Sequence, residues 1–302
     1  MIDRVETTDI AVIGLGLMGK PMARNLFAAG AHVTIASRSP GPVGELSAEG
    51  MSAADSPAEA AEKSAIVIVM LPDTPTVEAV ISGDNGVLAG LRAGTLVIDM
   101  GTTDALITRA LAGKVEAHGG RYIDAPVSGG QIGAKEGNLV IMAGGATTDI
   151  ERAMPVFDVL GKQTTHVGDI GAGQVAKACN QIIVGLNIGA VAEALALAQA
   201  AGVDPAKVRA ALKGGFADSR ILEIHGRRML ERTFAPGGKC TTQRKDMKQG
   251  MDLGAAFGLN LPATALGHDL FDKLIEAGDG GLDHSALIRA IDPAWGPGKE
   301  DT

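Results

Sequence analysis

Short apolar runs alternate with helical patterns through the first half of the chain. Several runs are nearly continuous in valine, isoleucine and leucine, as in strands that are buried on both faces of a parallel sheet. Seven strands are predicted, at residues 10–13, 32–36, 66–71, 96–100, 122–124, 139–143 and 164–167. Residues 18–29 and 104–118 are long enough for crossover helices. The alternation predicts an α/β fold with a doubly wound sheet.

The pattern changes near Gly171, where a long alanine-rich segment without proline runs over residues 174–201. As a helix it would span roughly 40 Å. It is apolar over most of its circumference, so we expect it to be buried. Further helices are predicted at residues 205–213, 219–232, 245–257, 263–276 and 285–291, without a convincing strand. We therefore predict an α/β domain over residues 1–168 and an all-α domain over residues 169–302, opened by the long helix.

Length and composition agree with two globular domains. The 302 residues suit two cores of about 150 residues each. The net charge of −8 argues against nucleic acid as a partner, because such affinity comes mainly from neutralising phosphates. The polar N-terminus is unlike a signal peptide, and no apolar run reaches the roughly 18 residues of a membrane helix. We expect a cytoplasmic protein that binds no membrane.

The two cysteines, Cys179 and Cys240, are too few for a disulfide scaffold in a chain of this length. No spacing of cysteine, histidine or acidic residues resembles a metal site. The sequence therefore predicts a reducing compartment and no bound metal.

A glycine motif lies directly after the first predicted strand and opens a helix. Gly14, Gly16 and Gly19 form G-x-G-x-x-G, which permits a tight turn, an approach of the backbone to a pyrophosphate, and close packing of helix on strand. The phosphates would bind the N–H groups at the helix N-terminus. This context favours a Rossmann-type dinucleotide site over a purely structural turn. The predicted contacts are Gly14, Leu15, Gly16, Leu17, Met18 and Gly19.

The end of the second predicted strand bears on the choice of cofactor. NAD enzymes place Asp or Glu there to bind the ribose 2′-OH. This chain has Ser37, Arg38 and Ser39 instead, which can hold a 2′-phosphate. Arg38 has a simpler interpretation as a solvated loop residue. The missing carboxylate nevertheless favours NADP(H) over NAD(H), with NAD(H) as the alternative.

Lys177 is a charged residue in the apolar long segment. Desolvating an ammonium is costly, and burial lowers the pKa of a lysine toward the range useful for acid–base catalysis. Asn180 lies on the same helical face, three residues later. Lys177 has two other interpretations, as a surface lysine whose stem is buried or as half of a buried ion pair with Glu193 or Asp246. The residues alone do not decide between these.

Polar loops follow three of the predicted strands, at residues 70–74, 99–103 and 124–130. Doubly wound sheets bind ligands at the carboxyl ends of their strands. In the third loop Ser128 offers a hydroxyl, and Gly129 and Gly130 offer adjacent N–H groups that can hold a carboxylate. Each loop also has an interpretation as an ordinary turn.

Taken together, these motifs resemble the β-hydroxyacid dehydrogenase family over residues 9–291. The matching stretches are IGLGLMGKPMARNL, DAPVSGG at residues 124–130, GAGQVAKACNQ at residues 171–181, and RKDM at residues 244–247. The resemblance implies a Rossmann-type domain followed by a helical substrate and dimerisation domain. It also implies hydride transfer between NAD(P) and a small 3-oxo or 3-hydroxy carboxylate. We expect a homodimer or homotetramer.

The resemblance also implies roles for individual residues. Lys177 would be the acid–base group, with Asn180 beside the substrate. Ser128, Gly129 and Gly130 would bind the substrate carboxylate. The implied cofactor contacts beyond the glycine loop and the second strand are Leu71, Pro72, Thr102 near the nicotinamide, and Lys245 and Asp246 from the helical domain.

Within the family, residues 180–195 and 283–287 are more similar to tartronate semialdehyde reductases than to 3-hydroxyisobutyrate dehydrogenases. We therefore expect reduction of 2-hydroxy-3-oxopropionate to D-glycerate, with 3-hydroxyisobutyrate or another β-hydroxyacid as the alternative. An imine reductase and a non-catalytic dinucleotide-binding module are remoter readings, against which Lys177 argues. The chain departs from the family pattern at Gly101, where a hydroxyl is usual, and at Ser37, where those reductases often carry Asp. Arg220 is an additional cation without an assigned role.

Overall fold

In the computed structural model, which describes residues 5–296, each predicted apolar run of the first half becomes a strand. The strands are β1 Asp9–Ile13, β2 His32–Ala36, β3 Ser52–Ala53, β4 Ile66–Val69, β5 Leu96–Asp99, β6 Arg121–Asp124, β7 Val127–Ser128, β8 Leu139–Gly144 and β9 Gly161–Gly168. Only β3 and β7 were not predicted, because two residues are too few to show a period.

The nine strands form one sheet in the order β3-β2-β1-β4-β5-β6-β8-β7, with β9 paired to β8. Strands β1 to β6 are all parallel to one another, whereas β8 is antiparallel to β6 and β7. Connections run outward in both directions from β1 and β4, so the order reverses between these two strands. This is the Rossmann order, and it confirms the predicted fold class.

Helices cover both faces of the sheet. In this part of the chain they are α1 Gly19–Ala28, α2 Pro40–Ala48, α3 Pro57–Glu62, α4 Thr74–Ser82, α5 Val87–Gly90, α6 Ala105–Ala117, α7 Gly130–Glu136 and α8 Thr147–Leu160. Alternate residues of β1 point to opposite faces: Ile10 packs in a core with α1 and α8, and Ala11 in a core with α3, α4 and α6. Burial on both faces explains why the strands are almost continuously apolar.

The rest of the chain is helical. It contains α9 Ala172–Ala200, α10 Pro205–Leu212, α11 Arg220–Glu231, α12 Cys240–Ala256, α13 Pro262–Leu274, a wider helical turn Ile275–Asp279, the 3₁₀ segments His284–Leu287 and Pro293–Trp295, and α14 Ile288–Ile291. Within residues 178–296 the only β contact is an isolated bridge between Lys239 and Asp283. The core includes Ile188, Phe234 and Phe271. The all-α character is confirmed.

Two helices differ from their predicted form. Helix α12 begins at Cys240, five positions before the predicted start at residue 245. Its first residues, Cys-Thr-Thr, have low helix propensity, but Cys240 is buried and its N–H bonds Leu282 O, so tertiary packing outweighs propensity. Helix α9 is not buried all round: Ile183 is 65% exposed and Leu197 70% exposed.

By length and composition α9 could cross a membrane, which corrects the expectation that no segment reaches that length. The polar residues Asn180, Gln181 and Asn187 interrupt the apolar runs without making the helix polar on average. This is weak evidence for a membrane span, because core helices of water-soluble proteins meet the same criterion.

The chain divides into two compact units, Met1–Lys177 and Ala178–Thr302. The division falls inside α9, since the start of this helix is bonded to the sheet: Gly171 N–H, just before the helix, and Gln174 N–H, in its first turn, both donate to Asp124. The functional bounds 1–168 and 169–302 stay a prediction.

Candidate active site

The loops after the parallel strands lie side by side at one edge of the sheet. Hydrogen bonds continue beyond the strand ends and join each loop to its neighbour. They run from Gly14 N–H to Ala36 O, Met70 N–H to Ile13 O, Met100 N–H to Val69 O, and Ala125 N–H to Asp99 O, at 2.7–2.9 Å. The three predicted ligand loops and the glycine loop therefore share one edge.

The glycine loop has the shape that a pyrophosphate needs. A Cβ at Gly19 would lie 1.9 Å from Gly14 O, so only glycine allows this contact of helix and loop. A Cβ at Gly16 would meet nothing within 4 Å, so the space above this backbone is open. The N-terminus of α1 has no side-chain cap among the described residues, which leaves N–H groups for phosphate oxygens.

A cleft of about 680 Å³ opens beside this loop. Its walls include Gly16, Leu17, Lys20 and Ser39, so it extends from the glycine loop to the end of β2. The glycine loop and the end of β2 thus border one cavity, and these residues fit the pyrophosphate and adenosine part of a dinucleotide.

The residues after β2 face solvent at this edge. Arg38 and Ser39 are exposed, and Ser37 Oγ accepts a hydrogen bond from Ser39 N–H at 3.3 Å. Two other cations near the cleft are already paired: Lys20 Nζ lies 2.9 Å from Glu45, and Arg24 pairs with Glu45 and Glu49. No ion pair of Arg38 forms within residues 5–296. Its guanidinium is available to an anion.

The loops after β4 and β5 place the remaining predicted contacts of this unit. Leu71 is half-buried and Pro72 exposed. Thr102 is half-buried between Gly101 and Thr103, whose backbone groups are both bonded to the Gln174 side chain. Their roles toward a cofactor stay predictions.

The loop after β6 turns sharply and returns as β7. Gly129 has φ +130° and Gly130 has φ +60°, conformations that side-chain-bearing residues rarely adopt. Ser128 is half-buried, and Gly129 and Gly130 are exposed at the start of α7. One short loop that is accessible to solvent therefore carries a hydroxyl and two adjacent N–H groups, the donors that carboxylate binding requires.

Lys177 is 8% exposed, so it is not a surface lysine with a buried stem. Its Nζ donates to Val127 O at 2.8 Å, just before Ser128. The ammonium is therefore held next to the loop that offers donors for a carboxylate. The structure brings together Lys177 and the loop of Ser128, although 49 sequence positions separate them.

The other predicted residues belong to the helical unit. Asn180 follows Lys177 by three residues on α9 and donates from Nδ2 to Gln181 Oε1 at 2.7 Å. Gln181 Nε2 in turn donates to Asp246 Oδ2 at 2.6 Å, and Lys245 Nζ lies 3.1 Å from Asp246 Oδ1. Asn180, Lys245 and Asp246 are thus connected through Gln181, a residue that sequence reasoning did not single out.

Two buried carboxyls at neighbouring strand ends were also missed. Asp99 and Asp124 are paired in register on β5 and β6, and both are fully buried. Burial raises the pKa of Asp99 to about 7, although hydrogen bonds from Thr103 and Gly101 oppose the shift. Burial likewise raises the pKa of Asp124 to about 6, against backbone N–H donors that include Gly171 and Gln174. The strand-end pattern of the two residues was the available signal.

Side-chain proximity also groups His225, Asp283 and His284, which sequence spacing did not suggest. Their potential ligand atoms lie within 4.8 Å of one another. Asp283 already accepts from Gly237 N–H, Ser285 Oγ and Arg228 at 2.6–2.8 Å. These donors occupy the carboxylate, and the guanidinium beside it disfavours a cation.

Comparisons with known proteins agree with this arrangement. A model of the NAD-binding domain of 6-phosphogluconate dehydrogenase matches residues 9–168, and a model of the NAD-binding domain of NADP-dependent 3-hydroxyisobutyrate dehydrogenase matches residues 171–291. The chain is 48% identical to 2-hydroxy-3-oxopropionate reductase of Escherichia coli, over 94% of this chain and 97% of that protein. It is 36% identical to 3-hydroxyisobutyrate dehydrogenase of Pseudomonas aeruginosa, over 93% and 97%.

A solved structure of Mycobacterium tuberculosis 3-hydroxyisobutyrate dehydrogenase with L-serine superposes with a TM-score of 0.87 at 32% identity, covering 95% of this chain and 99% of that chain. The chain therefore belongs to the β-hydroxyacid dehydrogenase family. It is an NAD(P)-dependent oxidoreductase, which confirms the predicted class of enzyme and cofactor.

The buried Asp99 predicts an unusual dependence of stability on pH. Its pKa is 3.8 when unfolded and about 7 when folded, so its contribution to stability is complete below pH 3.8 and is lost as the pH rises through about 7. The Asp99→Asn variant has no carboxyl to ionise, so this loss disappears. Its amide oxygen can still accept from Gly101 N–H, and its NH₂ group can donate to Thr103 Oγ, which then accepts instead of donating. We expect the free energy of unfolding of the variant, relative to wild type, to rise between pH 5 and 8 by at most about 2.6 kcal/mol.

Urea unfolding at several pH values measures this difference. Asp84→Asn, which replaces an exposed carboxylate, is the control and should follow wild type. Parallel curves for Asp99→Asn and wild type would mean that Asp99 does not ionise at a cost in the folded protein.

Proposed function

We propose that the chain reduces 2-hydroxy-3-oxopropionate (tartronate semialdehyde) to D-glycerate, with NADPH preferred over NADH. The observation that carries the proposal is the buried Lys177 ammonium, 2.8 Å from Val127 O and next to the solvent-accessible 128–130 loop. The identity to the E. coli 2-hydroxy-3-oxopropionate reductase supports this substrate over others of the family.

The residues of this site divide the reaction among them. Ser128 Oγ and the N–H groups of Gly129 and Gly130 bind the substrate carboxylate, which fixes the position of the aldehyde carbon. A nicotinamide cofactor held at the glycine loop (residues 14–19) would supply the hydride for that carbon. Lys177, as ammonium, donates a proton to the carbonyl oxygen as negative charge develops on it, and Asn180 helps to orient this oxygen. In the oxidation direction neutral Lys177 accepts the hydroxyl proton, so no metal is needed.

The substrate is tested with a matched pair of semialdehydes. Tartronate semialdehyde has a hydroxyl where methylmalonate semialdehyde, the oxidised form of 3-hydroxyisobutyrate, has a methyl group. A site built to bind a hydroxyl rejects an analogue without it, because its polar groups are then left without a partner. We expect kcat/KM to be higher for tartronate semialdehyde. A higher value for methylmalonate semialdehyde, or for threonate oxidation over D-glycerate oxidation, would overturn this assignment.

Replacing the proposed acid removes chemistry rather than binding. We expect Lys177→Ala to lower kcat by about 10²–10⁴, the usual contribution of a general acid, while the Kd of NADPH stays nearly unchanged. Steady-state kinetics and NADPH fluorescence titration measure the two effects. Lys162→Ala, an exposed lysine on β9, is the control. Near-normal turnover in Lys177→Ala would show that the proton comes from elsewhere.

The preference for NADPH rests on charge at the end of β2. Glu45 and Glu49 are paired with Lys20 and Arg24, so these four charges nearly cancel, whereas Arg38 is unpaired among the described residues. A charge-assisted bond from Arg38 to a 2′-phosphate contributes on the order of 1.5–3 kcal/mol. Exposure of Arg38 favours the lower end of that range.

We therefore expect kcat/KM to favour NADPH over NADH by roughly tenfold to a hundredfold. Arg38→Ala should remove most of this preference by weakening NADPH alone. Arg92→Ala, an exposed arginine before β5 and so at the opposite edge of the sheet, is the matched control. Equal wild-type values for the two cofactors, or a preference that survives in Arg38→Ala, would place the selectivity elsewhere.

We also propose that the protein is a homodimer or homotetramer. Ile183 and Leu197 are large apolar residues exposed on α9, and fourteen positions of helix bring them to nearly the same face. Sedimentation velocity should give two or four times the chain mass of 30.7 kDa. Leu197→Asp should weaken the assembly, and Val203→Asp, which replaces an exposed valine outside α9, should not. A wild-type monomer at micromolar concentration would contradict the proposal.

A further inference from the structure

Asp124 caps the helix that carries Lys177. Its Oδ1 accepts from Gly171 N–H at 2.7 Å, and its Oδ2 accepts from Gln174 N–H at 2.9 Å. Helix α9 begins at Ala172, so Gly171 immediately precedes the helix and Gln174 lies in its first turn, where N–H groups have no partner within the helix. A carboxylate is also favoured there by the helix dipole. The cap comes from β6, some fifty residues earlier in the chain, so it fixes α9 to the sheet.

The Gln174 side chain makes a second link from the same turn. Its Oε1 accepts from Thr103 N–H at 3.0 Å, and its Nε2 donates to Gly101 O at 3.0 Å. All of these groups are buried. Thr102, the predicted neighbour of the nicotinamide, lies between the two bonded residues. One side chain therefore joins the helix of Lys177 to the loop of Thr102.

The first turn of α9 packs closely against the sheet. A Cβ at Gly173 would lie 2.3 Å from Met142 O of β8 and 2.7 Å from Asp124 O at the end of β6, so the backbone of α9 packs directly on these two strands. The first turn cannot move inward, and the bonds of Asp124 and Gln174 keep it from moving outward.

Lys177 follows Gln174 by three residues, almost one turn of helix. Its Nζ is bonded to Val127 O, three residues after Asp124. The segment 124–127 thus anchors the start of the helix and also holds the ammonium. A displacement of the first turn would move Nζ relative to Val127 and to the donors of Ser128.

We propose that Asp124 and Gln174 are positioning residues, which set the place of Lys177 Nζ beside the 128–130 loop without touching substrate. The proposal rests on the proposed catalytic role of Lys177. Misplacement of a reacting group by about 1 Å can lower a rate by about a hundredfold, so loss of either link should be visible in kcat.

The test is a double-mutant cycle with Lys177→Ala. Gln174→Met removes both side-chain bonds at similar volume, and Asp124→Asn keeps one acceptor but turns an NH₂ toward the other N–H. We expect each to lower kcat by roughly tenfold to a hundredfold, with the Kd of NADPH changed by less than about threefold. In the Lys177→Ala background neither should lower kcat further, because the group that they position is absent.

The controls separate this role from a general loss of stability. Asp204→Ala removes the cap of α10, Oδ1 to Ala206 N–H, and should leave kcat unchanged. Every kcat is normalised to the folded fraction from urea unfolding. If Gln174→Met does not fold, Gln174→Glu takes its place, since it keeps the acceptor for Thr103 N–H and loses only the donor to Gly101 O.

Two results would overturn the proposal. Normal kcat in the folded single variants would mean that the two links do not matter for Lys177. Equal losses with and without Lys177 would mean that Asp124 and Gln174 act independently of it. If Lys177→Ala itself kept full activity, the proposed role of the lysine would fail instead, and this is read from the single variant alone.

Discussion

The site depends on the alignment of parallel strands, which makes their loops neighbours. The backbone hydrogen bonds between neighbouring strands continue beyond the strand ends: Met100 N–H donates to Val69 O, and Ala125 N–H donates to Asp99 O. Each loop therefore begins from a fixed place on one edge. Loops of glycine, serine and threonine would otherwise adopt many conformations, but here their first residues are set by backbone hydrogen bonds. Precise placement of weakly structured segments follows from the sheet.

Much of the fold could be predicted because its signals are local. Burial on both faces makes the strands apolar over several consecutive residues, and β2 was predicted residue for residue as His32–Ala36. The glycine motif carries its own context of strand and helix, which the structure reproduces around Gly14 and Gly19. Lys177 could be singled out since a charge in an apolar helix is locally unusual. Its burial, which the sequence left open, is shown by the structure, whereas its catalytic role remains a proposal.

What escaped prediction depends on contacts between distant parts of the chain. The carboxyl of Asp124 and the amide of Gly171 are 47 positions apart, and Gln174 lies 71 positions from Thr103. Neither the hydrophobic period nor the residue spacing of the sequence predicts such pairs. The early start of α12 at Cys240 has the same origin, since packing and not propensity sets it. The exposure of Ile183 was missed because periodicity shows which residues are apolar but not which of them a neighbour covers.

Asp99 and Asp124 are buried carboxyls at the edge of the sheet that carries the proposed site, and their burial is unfavourable in free energy. Burying a carboxylate is unfavourable, and an apolar residue at either strand end would avoid that penalty. Each carboxyl, however, organises a different backbone: Asp99 accepts from Gly101 N–H within the loop after β5, and Asp124 accepts from the first turn of α9. Apolar side chains could fill the same volume but could not satisfy those N–H groups. The free-energy cost of burying the two carboxyls therefore accompanies the bonds that hold the loop of Thr102 and the helix of Lys177 in place. For this reason we assign Asp99 and Asp124 to the architecture of the site and not to the stability of the sheet.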